Sequence, residues 1–189
     1  MAAKCGPAVS NLSAMAAEGA VSGRFGEAAG GPGKDYDIVL CGVTGDGKSS
    51  TGNTLAGSTS SFAVSGGLSS ATQECAHVDY LFGDVATRVV DTIGFSDTSL
   101  SAEATLERFR AFADHAPCGI DVFCFVVRWG RFKPEHEAAL GALERNVGPA
   151  ALPHTLLCFT HCPPSLRASA GALQATLDES APPALKAWL

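Results

Sequence analysis

Gly42-Val43-Thr44-Gly45-Asp46-Gly47-Lys48-Ser49 decides how this chain is read. The stretch is G-x-x-x-x-G-K-S, preceded by the strand-like run Ile38-Val39-Leu40-Cys41 and followed by residues 49–56, which suit a helix. A strand feeding a glycine-rich turn and then a helix N-terminus makes a phosphate cradle. The glycines let successive amide N–H groups point inward, and the helix dipole adds partial positive charge. Gly42, Thr44, Gly45, Asp46, Gly47 and Ser50 are candidates for lining the phosphates. Lys48 supplies a point charge for the β and γ phosphates, and the Ser49 hydroxyl is a ligand for Mg²⁺.

Outward from this loop, short apolar runs alternate with segments of helical spacing, the pattern of a βαβ protein. Strands are expected at 38–41, 75–82, 86–90, 120–127 and 155–159. Gly83-Asp84 would join the second and third as a tight antiparallel hairpin. Residues 120–127 form a continuous apolar run, as in a strand buried on both faces. Leu106, Phe109 and Ala113 keep helical spacing before Pro117. Pro134 opens a segment carrying Leu140, Leu143 and Val147 that stops at Gly148, and Leu166, Ala170, Leu173 and Leu177 make a last amphipathic stripe. The fold class expected is α/β, a P-loop nucleotide-binding domain whose mostly parallel sheet carries helices on both faces. It would occupy residues 35–189, behind an Ala/Gly/Ser-rich leader over 1–34.

A second loop supports the first. Asp91-Thr92-Ile93-Gly94 follows the strand at 86–90, which places a carboxylate at the C-terminal end of a strand, where such sheets bind ligands. Asp91 stands 43 residues past Lys48 and can hold a water on Mg²⁺, while the Gly94 N–H can reach the γ-phosphate. Thr72, in the polar stretch 58–73, would reach the metal when the γ-phosphate orders that segment.

Composition limits the alternatives. The 189 residues suit one domain, and 46% hydrophobic content supplies a core. Thirteen Lys and Arg against 19 Asp and Glu, a formal charge of -6, argue against nucleic-acid backbone binding. The seven cysteines are odd in number and scattered, as expected of buried thiols in a reducing, cytoplasmic setting. Cys158 and Cys162 flank His161 but lack a fourth ligand for zinc. The longest dense apolar run is far below the roughly 20 residues that span a bilayer. Residues 1–33 lack a continuous apolar core and carry Glu18 and Glu27, which speaks against a secretory signal and leaves a transit peptide open.

Residues 42–55, read on through Ser50-Thr51-Gly52-Asn53-Thr54-Leu55, resemble the G-x-T-G-x-G-K-S-x-T-G-N-x-(I/L) opening of the avirulence-induced, immunity-associated GTPases, relatives of septins and of chloroplast outer-envelope import receptors. Val90-Asp91-Thr92-Ile93-Gly94-Phe95-Ser96-Asp97-Thr98 is similar to that family's V-D-T-P-G-(L/F)-x-D-T, with Ile93 for proline. Arg128-Trp129-Gly130-Arg131-Phe132-Lys133-Pro134-Glu135-His136-Glu137 resembles its R-F-T-x-E-(E/D) box, with Lys133 for threonine. The resemblance implies GTP and GDP as ligands with Mg²⁺, a nucleotide-dependent homodimer, and Arg131 acting in trans on transition-state charge, with Arg128 as the substitute. Phe95 stands where a Ras-like GTPase keeps its water-orienting glutamine, so hydrolysis by a single copy should be slow.

The base-reading segment departs from the family. Its fifth strand usually ends F-T-(H/R)-x-D, whereas Phe159-Thr160-His161-Cys162-Pro163-Pro164 has Pro163 at the aspartate's place. The Thr-His pair is similar to the import receptors, where the histidine helps hold the base, which makes Thr160 and His161 the candidates. The family also carries a further strand about 35 to 45 residues on, against 29 residues after Thr160, so a domain incomplete at its C-terminal end is expected. Two other functions stay open at this point: a pseudo-GTPase scaffold without base specificity, and an envelope receptor-type GTPase associated peripherally with an organelle.

Overall fold

A computed structural model describes residues 36–64, 74–82, 85–94, 102–116, 119–167 and 170–189. The expected leader, Thr72, the Gly83-Asp84 link and Phe95 lie outside the described residues.

Five strands form one sheet: β1 (Tyr36–Gly42), β2 (Ala76–Phe82), β3 (Val85–Asp91), β4 (Val122–Arg128) and β5 (Thr155–Thr160), in the order β2-β3-β1-β4-β5. β1 pairs in parallel with β3 and β4, and β4 with β5, while β2 runs antiparallel at the edge. The antiparallel β2–β3 pair matches the hairpin expectation, with Phe82 opposite Val85. The uninterrupted apolar character of β4 has the expected reason: Phe123 through Val127 are all buried, with side chains alternating between two cores.

Helices cover both faces. α1 (Lys48–Leu55) lies on one side, where Leu40, Phe62, Val89, Cys124 and Val126 form a small core with Leu55 packed against it. On the other side α2 (Ala102–Ala113) and α3 (Pro134–Val147) contribute Phe112, Ala139, Leu140, Leu143 and Val147 to the larger core around Val39, Cys41, Val90 and Phe125. Burial pushes the Cys41 thiol up to about 12. Cys75, Cys158 and Cys162 are only partly buried, so the expectation of buried thiols holds for two of the five described cysteines.

The C-terminal part is largely helical, in line with the expected stripe at Leu166, Ala170, Leu173 and Leu177. α3 ends at Gly148, whose φ of 81° suits glycine, and a 3-10 turn (Pro149–His154) leads into β5. Beyond Thr160 the described residues of the stripe lie in α4 (Pro164–Arg167) and α5 (Ala170–Ser180), with residues 168–169 outside the described residues; α6 (Pro183–Lys186) follows, where Pro182 and Pro183 forbid continuation of α5. No sixth strand occurs among the described residues.

Candidate phosphate-binding site

β1 delivers the chain to Gly42 at the C-terminal edge of the sheet. Gly42 has a φ of 128°, and a Cβ there would strike the main-chain oxygen of Val126 on β4, so only glycine lets the loop leave so close to the neighbouring strand. Gly45 and Gly47 also have positive φ, 87° and 99°, which turns the backbone before α1 begins at Lys48. Thr44, Gly45 and Ser50 are exposed at this mouth, while Asp46 and Lys48 are buried.

Lys48 is only 6% exposed, and its ammonium donates to the main-chain oxygens of Val43 at 3.0 Å and Gly42 at 3.3 Å. Burial lowers its pKa from the ordinary lysine value, and the carboxylates of Asp91 and Asp46 act in the opposite direction. The loop thus holds a cation curled over its own carbonyls, ready for an anion.

Register brings the second loop to the first, because Leu40 of β1 stands opposite Asp91 of β3. Asp91 is 2% exposed, and the Ser49 hydroxyl donates to its Oδ2 at 2.6 Å. A hydroxyl and a buried carboxylate in contact at a helix N-terminus are the hard oxygen donors that Mg²⁺ prefers, so these two residues fit the ion. Thr92 anchors the turn by donating to Leu40 O at 2.7 Å, and Gly94 O accepts from Arg108. A Cβ at Gly94 would collide with Thr44, so this glycine is what lets the two loops touch.

β5 reaches the loop through Thr160. Its hydroxyl donates to Asp46 O at 2.7 Å and its side chain packs against Gly47, so Thr160 supports the loop from the expected base-reading segment. His161 follows in the left-handed region at φ 57°, exposed, with Nδ1 3.2 Å from the Thr160 hydroxyl. That hydroxyl's only proton goes to Asp46, so the imidazole is the donor in this second bond. Pro163 is exposed, and its carbonyl accepts from Leu166 and Arg167 as α4 starts. Arg131 is exposed on the turn after β4, its N–H donating to Arg128 O at 3.1 Å, while Arg128 is half-buried.

Two relationships escaped the sequence reading. Asn53 Nδ2 donates to Phe62 O at 3.0 Å and Asn53 Oδ1 accepts from Phe62 N at 2.8 Å, which ties the chain leaving α1 back onto that helix. The Phe62 ring occupies the space a side chain at Gly52 would fill, so Gly52-Asn53 form a receptor for Phe62. The only signal in the sequence was the G-N pair itself. The second is His136, 1% exposed on α3, whose Nε2 lies 2.6 Å from Asp46 Oδ2.

The sequence model of the AIG1 family matches residues 36–189. Immune-associated nucleotide-binding protein 7 of Arabidopsis thaliana is 33% identical over 126 residues, which are 66% of this chain and 40% of that protein. Toc33 from Arabidopsis thaliana in complex with Mg²⁺ and GMPPNP has 25% identity and a TM-score of 0.54, over 76% of this chain and 60% of that one. A solved chain of the chloroplast translocon components atToc33 and psToc159 gives 0.58 at 23% identity, over 78% and 67%. This chain therefore spans about two fifths of the curated relative and three fifths of the Toc33 structure. With its phosphate loop, its second loop and its mostly parallel five-stranded sheet in register with that match, the chain belongs to the AIG1 family.

Proposed function

We propose that this chain is a guanine-nucleotide-binding switch domain that takes GTP or GDP with Mg²⁺, hydrolyses GTP slowly alone, and turns over faster when two loaded copies pair. The observation that carries the nucleotide reading is the contact of Ser49 Oγ with Asp91 Oδ2 at 2.6 Å, beside the buried Lys48 ammonium. Amides of Gly45 to Ser49 would receive the phosphates, and Lys48 would lie along the β and γ oxygens. Ser49 would ligate Mg²⁺ directly and Asp91 through a water, with Thr72 joining from its loop. Mg²⁺, when bound, neutralises charge on the β and γ oxygens. Gly94 would offer its N–H to the γ-phosphate and His161 would lie against the base. Arg131, exposed on the turn after β4, is the group a second copy would present.

Calorimetric titration with GDP tests this reading. Wild type should bind more tightly with Mg²⁺ than with chelator, and Ser49→Ala should lose most of that difference. No binding of guanine nucleotides at millimolar concentration would overturn it.

A second reading, a nucleotide-binding scaffold with relaxed base specificity, draws on Pro163, which supplies no carboxylate where the family reads guanine. Competition between GTP and ATP separates the two. No helix among the described residues is long and apolar enough to cross a membrane.

A further inference from the structure

The turn that presents Arg131 is fastened at both ends to one residue of the phosphate loop. At its start, Trp129 N–H donates to Thr160 O at 2.9 Å, and the Thr160 hydroxyl donates to Asp46 O at 2.7 Å. At its end, Lys133 N–H donates to His136 Nδ1 at 3.0 Å. Because Nδ1 accepts there, the ring proton sits on Nε2, which donates to Asp46 Oδ2 at 2.6 Å. Residues 129–133 thus bridge two arms that converge on the main chain and the side chain of Asp46.

Both members of the second arm are enclosed, His136 at 1% and Asp46 at 4% exposure. The ring of Phe132 stacks on His136 with centroids 5.6 Å apart and planes 28° from parallel, so the residue after Arg131 grips the same imidazole. Water has little access to replace a broken bond in this arm, and a buried group left without its partner is costly. The loop and the turn therefore move together or one of these bonds breaks.

We propose that His136 is a positioning residue that couples the phosphate loop to the Arg131 turn through Asp46, so that filling the loop tightens the face offered to a second copy. The inference rests on the nucleotide reading above. Backbone amides of the loop on either side of Asp46 donate to phosphate when it binds and so fix the φ and ψ of Asp46, and the Asp46 carboxylate hands that constraint to His136 and Lys133.

Hydrogen exchange of the whole chain, with and without GDP and Mg²⁺, tests the coupling. In wild type, loading should slow exchange severalfold in peptides covering 42–49 and also in those covering 129–136. In His136→Leu, loading should still protect 42–49 while the loaded-to-unloaded ratio at 129–136 falls to about one. His136→Gln, whose amide oxygen can accept from Lys133 and whose NH₂ can donate to Asp46, should restore it. Asp46→Ala cuts the same arm from the loop side and leaves the His136 bond to Lys133 intact, so it reads the coupling should His136→Leu fold poorly by circular dichroism. A purely structural role for His136 would speed exchange in both states and leave the ratio unchanged. A wild-type ratio at 129–136 in both broken variants, or no protection at 129–136 in loaded wild type, overturns the coupling. Absence of protection at 42–49 in wild type overturns the nucleotide reading, and the coupling falls with it.

Discussion

The Thr160 hydroxyl donates to the main-chain oxygen of Asp46 at 2.7 Å, joining the end of the last strand to a loop 114 residues earlier in the chain. The bond fixes the peptide that precedes Gly47, the residue whose left-handed conformation starts α1. Thr160→Val keeps the shape and removes the donor. A neutral hydrogen bond contributes about 0.5–1.5 kcal/mol, so GDP affinity should fall by roughly twofold to tenfold. Titration with a fluorescent GDP analogue checks this, and unchanged affinity would mean that the loop holds its form without β5.

Pro163 can be replaced by the residue the family has there without harm to the fold. Its carbonyl accepts from Leu166 and Arg167, so it occupies the position just before α4. Aspartate is among the best residues at a helix N-cap, and its side chain can also accept a helix N–H. Pro163→Asp should leave the thermal midpoint within a few degrees or raise it. Charge-assisted bonds to the guanine edge contribute about 1.5–3 kcal/mol, so preference for GTP over ATP should rise by about one to two powers of ten in a competition assay. Equal competition by the two nucleotides in the variant would show that position 163 does not face the base.

Much of this site was legible because its chemistry is local in sequence. G-x-x-x-x-G-K-S fixes its own turn, and Asp91 arrives beside Ser49 because a parallel β1–β3 pair puts Leu40 opposite Asp91. The contact of His136 with Asp46 was not legible, although His136 stands in the R-F box. Its partner is 90 residues away, and the pairing exists only because β4 lies next to β1 and sets α3 behind the loop. The same holds for Asn53 and Phe62, where a side chain replaces a backbone partner that no periodicity announces.

Lys48 should show opposite effects on binding and on the stability of the empty protein. Burial lowers its pKa in the folded chain below its unfolded value. Between the lowered pKa and the unfolded value near 10.5 the unfolded chain binds more protons, so stability of the nucleotide-free protein rises with pH across that window. Lys48→Met removes the buried charge. The variant should lose this rise while melting no lower than wild type at neutral pH, and its GDP affinity should drop by at least about one to two powers of ten. Thermal melts from pH 7 to 10, run beside calorimetry, check both halves. A variant that melts well below wild type would show that the bonds from Lys48 to Val43 O and Gly42 O outweigh the cost of its burial.

Arg131 and Arg128 share a turn but differ in what they can reach. Arg128 is the last residue of β4 and half-buried, its carbonyl holding Arg131 N–H, whereas Arg131 is exposed. A group acting in trans makes turnover per molecule rise with protein concentration, and a group acting in cis does not. Arginines that stabilise phosphoryl-transfer charge contribute on the order of 10³ to 10⁵ in rate. Arg131→Ala should therefore abolish the concentration dependence and most of the GTP turnover, while GDP affinity stays within about twofold because the side chain is absent from the loop of its own copy. Arg128→Ala should retain the concentration dependence and lower the thermal midpoint through lost packing of its stem. Phosphate release measured from micromolar to hundred-micromolar protein, with analytical ultracentrifugation of the GDP and GMPPNP forms, gives the result. Turnover that rises with concentration in Arg131→Ala but not in Arg128→Ala would exchange their roles; turnover independent of concentration in wild type would leave a slow single-copy switch.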